Sequence, residues 1–271
     1  MDRLADTFNH MRRERRKALI PFIMGGDPDL GTTRDLLLAL DDAGADLIEV
    51  GIPFSDPLAD GPVIQAASAR ALAHGTHPEA VLHAVASVAP RLRAPVLALC
   101  YWNPIVQFSR NGAPGSSPAA FVQAARAHGV AGLIVPDLPL EESTALRAAT
   151  TRAGLAAVLL AAPTSPPQRL RQIARASQGF IYYVSVAGTT GIRQALPPTL
   201  VHGVRQLKLI SAKPVCVGFG ISTPAQARTV ARIADGVIVG SALVQTIAAA
   251  RSRSARVQAA RRFTAQLRRA V

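Results

Sequence analysis

Residues 19–51, LIPFIMGGDPDLGTTRDLLLALDDAGADLIEVG, contain the unit that decides the fold. Two apolar runs, Leu19–Met24 and Leu47–Gly51, enclose an amphipathic stretch, Thr32–Ala43, which ends at Gly44. The runs show little polar alternation, as expected of parallel strands that are buried on both faces. Apolar residues at helical spacing, followed by a glycine at the C-cap, predict a helix. The stretch therefore predicts a strand–helix–strand unit.

The same unit repeats along the chain. Eight apolar runs are predicted to be strands, and they are Leu19–Met24, Leu47–Gly51, Pro95–Tyr101, Gly132–Val135, Ala156–Ala161, Phe180–Ser185, Pro214–Gly218 and Gly236–Val239. Helical patterning predicts helices at Thr32–Ala43, Val63–Ala73, Phe121–His128, Glu141–Ala153, Pro167–Ala176, Thr199–Ser211, Pro224–Ile233 and Ala255–Arg268. Two more helices are expected, one over His77–Ala89 and one over the N-terminal Asp2–Lys17.

Eight strand–helix units predict an α/β protein with a (β/α)8 TIM-barrel fold. We expect residues 1–271 to form a single domain, with an additional N-terminal helix and extra helices in its βα loops. The alternative is an open doubly wound sheet, which usually carries a glycine-rich dinucleotide-binding turn after its first strand. Met24–Pro28, MGGDP, follows the first strand and does not match that turn. The Gly-, Pro- and Ser-rich stretch Asn111–Pro118 is short enough to be one long βα loop.

The net charge of +13 is concentrated near the two ends of the chain. Residues 12–17 contain five cations and one acid, and residues 251–269 contain seven arginines and no acid, so the centre is close to neutral. Basic helices at chain ends are usually solvated faces, with a weak, salt-sensitive attraction for polyanions as a side effect. We expect no specific nucleic-acid partner.

Cysteine usage and hydropathy indicate the compartment. Cys100 and Cys216 are the only cysteines, and each lies in an apolar run, so neither a disulfide framework nor a structural zinc cluster is expected. The sequence shows no signal-peptide pattern, and no apolar run reaches the length of about 20 residues that a membrane helix needs. These features predict a cytoplasmic protein that is not bound to membranes.

Few polar residues are expected at the C-terminal ends of the strands, where barrel active sites lie. They are Glu49, Asp60, Asn103, Asp137 and Tyr182. Glu49 is the most informative, because burial inside an apolar strand raises a carboxyl pKa and suits it to proton transfer. The alternative is a structural carboxylate that binds a backbone amide or an arginine.

The segment Gly51–Pro62, GIPFSDPLADGP, contains Asp60. Three prolines stiffen this loop, while the glycines at its ends provide hinges. Asp56 and Asp60 could instead be ordinary turn or N-cap residues, because Asp60-Gly61-Pro62 opens the next predicted helix.

Glycines cluster after the last three predicted strands, in Gly188–Gly191, Gly218–Ser222 and Gly240–Ser241. Glycine lets backbone N–H groups approach a phosphate closely, and a following helix N-terminus adds partial positive charge. Phosphate sites of TIM barrels recur at this end of the fold. The clusters therefore predict a phosphorylated ligand.

Lysine and histidine are missing from the predicted strand ends. The three lysines, Lys17, Lys208 and Lys213, fall elsewhere, which argues against a Schiff-base aldolase. All six histidines map to helices or helix-side loops, which argues against a metal-dependent aldolase and predicts no metal site. The remaining chemistry is cofactor-free acid–base catalysis on a phosphorylated substrate.

Residues 47–65, LIEVGIPFSDPLADGPVIQ, resemble the signature of tryptophan synthase α subunits almost residue for residue. Further matches extend the resemblance over nearly the whole chain, and they are Pro21–Pro28, Tyr101–Pro104, Val135–Pro139 with Glu141–Ser143, Gly191, Gly218–Ser222 and Gly240-Ser241. One departure is Thr189, which stands where many members carry a valine.

The resemblance implies retro-aldol cleavage of indole-3-glycerol phosphate to indole and glyceraldehyde 3-phosphate. It assigns proton transfer to Glu49, a hydrogen bond with the indole N–H to Asp60, and a place beside them to Tyr182. The implied indole pocket consists of Phe22, Leu99, Ile134 and Phe219, and the implied phosphate site consists of Gly191, Gly220, Gly240 and Ser241. Thr190 would belong to a mobile loop that closes over Asp60.

The resemblance also implies a partner, a β subunit that carries pyridoxal phosphate and receives indole in an α2β2 complex. Pro53 and Asp56 belong to the loop that communicates with it, and this chain itself is expected to bind no cofactor. Two alternatives stay open. One is a stand-alone lyase that releases free indole, and the other is a non-catalytic barrel that binds phosphorylated ligands.

Overall fold

A closed eight-stranded parallel barrel forms the centre of the molecule. The structure is a computed structural model that describes residues 3–109, 117–184, 196–218 and 220–271. The strands are β1 (Ala18–Met24), β2 (Ile48–Gly51), β3 (Val96–Leu99), β4 (Val130–Ile134), β5 (Ala156–Ala161), β6 (Ile181–Val184), β7 (Val215–Gly218) and β8 (Gly236–Val239). Each pairs with its sequence neighbours, and β8 pairs with β1. The TIM-barrel prediction is confirmed, and the open-sheet alternative is wrong.

Helices alternate with the strands, as the sequence predicts. They are α1 (Arg3–Arg13), α2 (Leu30–Asp42), α3 (Pro62–Ala73), α4 (Pro78–Ala86), α5 (Trp102–Val106), α6 (Pro118–Ala127), α7 (Thr144–Ala153), α8 (Pro167–Ala176), α9 (Pro198–Ile210), α10 (Pro224–Ala231), α11 (Ser241–Ala249) and α12 (Arg253–Arg268). The additional N-terminal helix is confirmed as α1. The sequence analysis missed α5, which contains Asn103, and α11, which begins at the predicted phosphate residue Ser241.

Capping residues fix the ends of the helices where the sequence predicts them. Gly154 follows α7 in the left-handed conformation, at a φ of 70°, where a Cβ would be unfavourable. Thr223 caps α10 and forms a capping box with Gln226. These local signals limit where each strand can begin and end, and therefore which residues reach the ends of the barrel.

The strands bury both faces. On β2, Ile48 and Val50 belong to the outer apolar layer between strands and helices, so Glu49 between them faces the barrel interior. The interior is filled by small and medium side chains such as Ile20, Leu97 and Ile238. At the amino-terminal end of the strands, α1 closes the barrel with apolar side chains, which are Leu4, Phe8 and Met11.

Both cysteines, Cys100 and Cys216, are free and fully buried. Among the helices that the structure describes, none combines the length and the apolar character that crossing a bilayer would require.

Candidate active site

Glu49 is the most unusual polar residue of the barrel interior. Its residue exposure is 1%, and it aligns with Phe22 on β1 and Leu97 on β3. Within the described residues, neither carboxyl oxygen has a hydrogen-bond partner. The alternative interpretation, a structural carboxylate held by an amide or an arginine, is therefore wrong for this part of the chain. Burial, and secondarily the negative charge of Asp60, raises the pKa of Glu49 to about 8.

Asp60 lies in the loop between β2 and α3, half-buried at the opening of the barrel. It does not cap the helix, because the N-cap of α3 is Gly61, which makes no side-chain cap hydrogen bond. Burial raises the pKa of Asp60 to about 6, against the opposing effect of a hydrogen bond from Tyr101. The carboxyl group of Asp60 is therefore not used to cap α3.

Side chains from distant elements fasten the loop of Asp60. The Tyr101 hydroxyl accepts a hydrogen bond from the backbone N–H of Ala59 at 3.0 Å. The buried Ser68 hydroxyl accepts from the N–H of Phe54 and donates to its carbonyl oxygen, both at 2.8 Å. The sequence analysis gave Tyr101 no role, although its place directly after the third strand was a signal that could have identified it. Pro53 is buried at the start of the same loop, and Asp56 is exposed.

A cavity of about 220 Å³ joins these groups at the carboxyl ends of the strands. Glu49, Asp60 and Tyr182 all line it, together with the predicted pocket residues Phe22 and Leu99. Larger apolar side chains to which the sequence analysis gave no role also line it, and they are Ile64, Val184, Ile221 and Ile238.

Two predicted pocket residues are not among those that line this cavity. Ile134 is fully buried in the interior cluster that also contacts Leu99 and Tyr182. Phe219 lies outside the described residues. The roles of both in binding stay predictions.

Tyr182 is part of the wall of the cavity. Burial raises its pKa well above the ordinary value for tyrosine, and the charges of Glu49 and Asp60 raise it further, so the hydroxyl stays protonated near neutral pH. A Cβ on Gly218 would lie 2.9 Å from this hydroxyl oxygen. Glycine at position 218 therefore leaves room for the Tyr182 ring.

The predicted phosphate residues Gly220, Gly240 and Ser241 line the same cavity. Gly240 is the N-cap of α11, and Ser241 is its first residue, so the unpaired N–H groups of a nine-residue helix begin at the cavity wall. The other predicted residues of this region, Gly191, Thr190 and Thr189, lie outside the described residues.

Asp137 and the lysines of α9 and the following turn have structural partners. Asp137 accepts a hydrogen bond at 2.8 Å from the backbone N–H of Trp102, the first residue of α5. Lys213 donates to three backbone carbonyls near the end of α8, and Lys208 binds Asp235. Across residues 3–109, 117–184, 196–218 and 220–271, no group of three His, Cys, Asp or Glu side chains could hold a metal ion.

Comparisons with known proteins give a consistent match over the chain. A sequence model described as tryptophan synthase alpha chain matches residues 8–271. The chain belongs to the tryptophan synthase alpha chain family. A tryptophan synthase alpha chain of Gloeobacter violaceus is 51% identical over 92% of this chain and 87% of that protein. One of Prochlorococcus marinus is 50% identical over 91% of this chain and 87% of that protein.

Solved structures of the family have the same fold. Tryptophan synthase subunit alpha of Legionella pneumophila superposes with a TM-score of 0.88 at 37% identity, covering 100% of this chain and 98% of that one. The matched residues 8–271 include every residue that lines the cavity around Glu49 and Asp60. The match to the tryptophan synthase alpha chain family therefore covers the whole candidate site.

Proposed function

We propose that this chain is the alpha chain of a tryptophan synthase, a lyase that cleaves indole-3-glycerol phosphate to indole and glyceraldehyde 3-phosphate. The observation that carries this proposal is the pair of carboxyl groups, Glu49 and Asp60, which line one cavity together with the N-terminus of the helix α11. Family membership supplies the substrate, and the physical properties of the two carboxyl groups suggest how each acts.

In the proposed reaction, Glu49 is the proton donor. With a pKa of about 8 it is protonated near neutral pH, and its two oxygens are not occupied by other described residues. It gives its proton to C3 of the indole ring, after which the bond between C3 and the glycerol chain can break. The resulting carboxylate then takes the proton of the glycerol 3′-hydroxyl as the aldehyde forms, so that the enzyme regains its starting state.

Asp60 is proposed to act in the opposite protonation state. With a pKa of about 6 it is mostly ionised near neutral pH, so it can accept a hydrogen bond from the indole N–H. Protonation of C3 places positive charge on the ring, and a nearby carboxylate stabilises that charge more than it stabilises the neutral substrate. Two carboxyl groups with separated pKa values thus supply both an acid and an electrostatic stabiliser.

The walls of the cavity suit the two ends of the substrate. Phe22, Leu99 and Ile64 give an apolar surface for the indole ring, while Gly240 and Ser241 give backbone N–H groups for the phosphate. Tyr182, with its protonated hydroxyl, would contact the substrate between them. We assign the same indole slot to Ile134 and Phe219, the phosphate site to Gly220 and Gly191, and the closing loop to Thr190.

We also propose the setting in which the enzyme works. Residues 1–271 would form one domain, because strands of the single barrel come from both halves of the chain. The partner would be a tryptophan synthase β subunit in an α2β2 complex, contacted by the loop of Pro53 and Asp56, with pyridoxal phosphate in the β subunit and no cofactor in this chain. The buried free thiols fit a reducing cytoplasm.

The test is cleavage of indole-3-glycerol phosphate, followed by indole release, in Glu49→Gln and in the matched control Glu142→Gln. Glutamine keeps the size of the side chain and removes the titrating proton, so Glu49→Gln should fold and lose about 10²–10⁴-fold in turnover. Glu142 is exposed, and its replacement should leave turnover unchanged. Retained activity in a folded Glu49→Gln protein would remove Glu49 from proton transfer, and absence of indole formation by the unmodified chain, with and without a β subunit, would reject the proposed function.

A further inference from the structure

A second cavity, of about 210 Å³, lies at the amino-terminal ends of the strands, opposite the candidate active site. It is placed there by its lining, because Lys17 directly precedes β1, Pro214 directly precedes β7, and Asp235 directly precedes β8. Phe8 and Met11 of α1 supply its apolar part. Nothing in the proposed lyase mechanism uses this end of the barrel.

Four cationic side chains line this cavity, and they are Arg12, Arg15, Arg16 and Lys17. Asp235 is the one acid in the lining among the described residues, and it already binds Lys208 at 2.7 Å and lies 3.5 Å from Lys17. The lining therefore has three more positive charges than negative ones. Such a surplus around a concave surface attracts anions.

Two of the four arginine and lysine side chains have no acidic partner in the described part of the chain. Arg16 is paired with Glu14 and Asp46. Arg12 donates only to a neutral acceptor, the carbonyl oxygen of Ala212 at 3.2 Å. The Arg15 guanidinium makes no hydrogen bond or ion pair with any described residue. Arg12 and Arg15 are thus available for a ligand.

Arg15 also has an unfavourable backbone conformation. Its φ is 56°, and it is the one non-glycine residue with a positive φ among those described. It lies in the turn after α1, where glycine is usually preferred because it has no Cβ to clash. An arginine at such a position costs stability that a glycine would recover, which suggests that its side chain is retained for a function.

We propose that this cavity is a second anion site, which binds the phosphate group of a small phosphorylated molecule through Arg12 and Arg15. A guanidinium group presents a planar set of donors that matches phosphate oxygens, so the pair of arginines can bind two sides of one phosphate. The apolar side chains of Phe8 and Met11 would contact the organic part of the ligand. A concave site of this size favours a small molecule over an extended nucleic-acid backbone.

The test is a titration of the full-length ¹⁵N-labelled protein with inorganic phosphate, followed by backbone amide shifts. Binding at the proposed site should move the amides of Arg16, Lys17 and Asp235, separately from those of Gly240 and Ser241 at the candidate active site. In the double variant Arg12→Ala/Arg15→Gly, the phosphate affinity reported by the first set of amides should fall by about tenfold or more. This is the effect of losing one or two charge-assisted hydrogen bonds. Arg261→Ala/Arg262→Ala, with the same loss of charge on exposed positions of α12, is the matched control.

Stability separates a binding role from a structural one. Arg15→Gly alone should keep or raise the melting temperature while it weakens phosphate binding, because glycine relieves the positive φ. Cleavage activity should be unchanged in Arg12→Ala/Arg15→Gly. The proposal is overturned if phosphate moves only the amides near Gly240, or if the control weakens binding as much as the test variant. It is also overturned if a DNA duplex binds the protein and both double variants reduce its affinity equally, since that result indicates diffuse surface charge.

Discussion

At the scale of single residues, the candidate site depends on two carboxyl groups that would both be ionised at neutral pH in water. Burial raises their pKa values by different amounts, to about 8 for Glu49 and about 6 for Asp60. The sequence predicts Glu49 because an acid inside an apolar strand must be desolvated. It does not predict Tyr101, whose hydrogen bonds to the loop of Asp60 depend on how β3 sits beside β2.

The raised pKa of Glu49 predicts a specific dependence of stability on pH. The unfolded chain releases this proton near pH 4.5, whereas the folded protein holds it up to about pH 8. Between these values the folded state binds more protons, so its stability falls as pH rises, by up to about 1.4 kcal/mol per pH unit from this group. Glu49→Gln has no titrating group at this position, so it does not show this decrease in stability. Urea denaturation at about pH 5 and about pH 8 measures the unfolding free energy of both proteins. The unfolding free energy of the variant, relative to that of the unmodified protein, should be higher at pH 8 than at pH 5.

Glu142→Gln serves as the control for this measurement, since its side chain is exposed. It should follow the unmodified protein at both pH values. A constant difference between Glu49→Gln and the unmodified protein would mean that Glu49 is not buried in its protonated form. Asp60 adds a smaller effect of the same sign, between about pH 4 and about pH 6.

At the scale of elements, the loop between β2 and α3 shows what sequence patterns can and cannot predict. Its prolines and terminal glycines predict a defined loop, and Gly61-Pro62 predicts the start of α3. Its attachment to Ser68 and Tyr101 bridges 14 and 42 positions in the chain, and no local pattern reports contacts at that distance. The helix α11 was missed for a different reason, because its nine residues, SALVQTIAA, are too few to show clear helical periodicity.

Ser68→Ala tests how much the attachment of this loop contributes. The change removes two hydrogen bonds to the backbone of Phe54 and should lower the unfolding free energy by about 1–3 kcal/mol. Turnover should fall as well, because a looser loop holds Asp60 less well. The control is Ser87→Ala, which removes one hydrogen bond from an exposed serine on α4's C-cap. Equal effects of the two variants on turnover would argue against a positioning role for Ser68.

At the scale of the whole molecule, the barrel separates two ends with different chemistry. The carboxyl ends of the strands carry the half-buried acid Asp60, the helix terminus at Ser241 and the exposed loop that precedes α3. The amino ends carry the cluster of cations formed by Arg12 of α1 and by Arg15, Arg16 and Lys17 after it. The eight strands were predictable because each is a short apolar run, and closure of the barrel follows from their number and parallel pairing. The basic cavity was not predictable, because the sequence shows the charges but not that four of them surround one concave surface.

Leu58 offers a test of the proposed partner at this scale. It lies in the exposed loop before Asp60 and is 92% exposed, so a partner that covers it would gain the free energy of burying an apolar side chain. Burying a leucine side chain contributes about 1.5–3 kcal/mol, so Leu58→Ser should weaken binding of the β subunit by about 10-fold to 100-fold. Leu209→Ser is the matched control, because Leu209 is 80% exposed near the C-terminal end of α9, towards the opposite end of the barrel. Calorimetric titration of the β subunit into each variant measures the effect. Equal affinities of the two variants for the β subunit would place the partner on another surface. Loss of binding in Leu58→Ser alone, while the isolated chain still cleaves its substrate, would show that partner contact and catalysis depend on different residues of one loop.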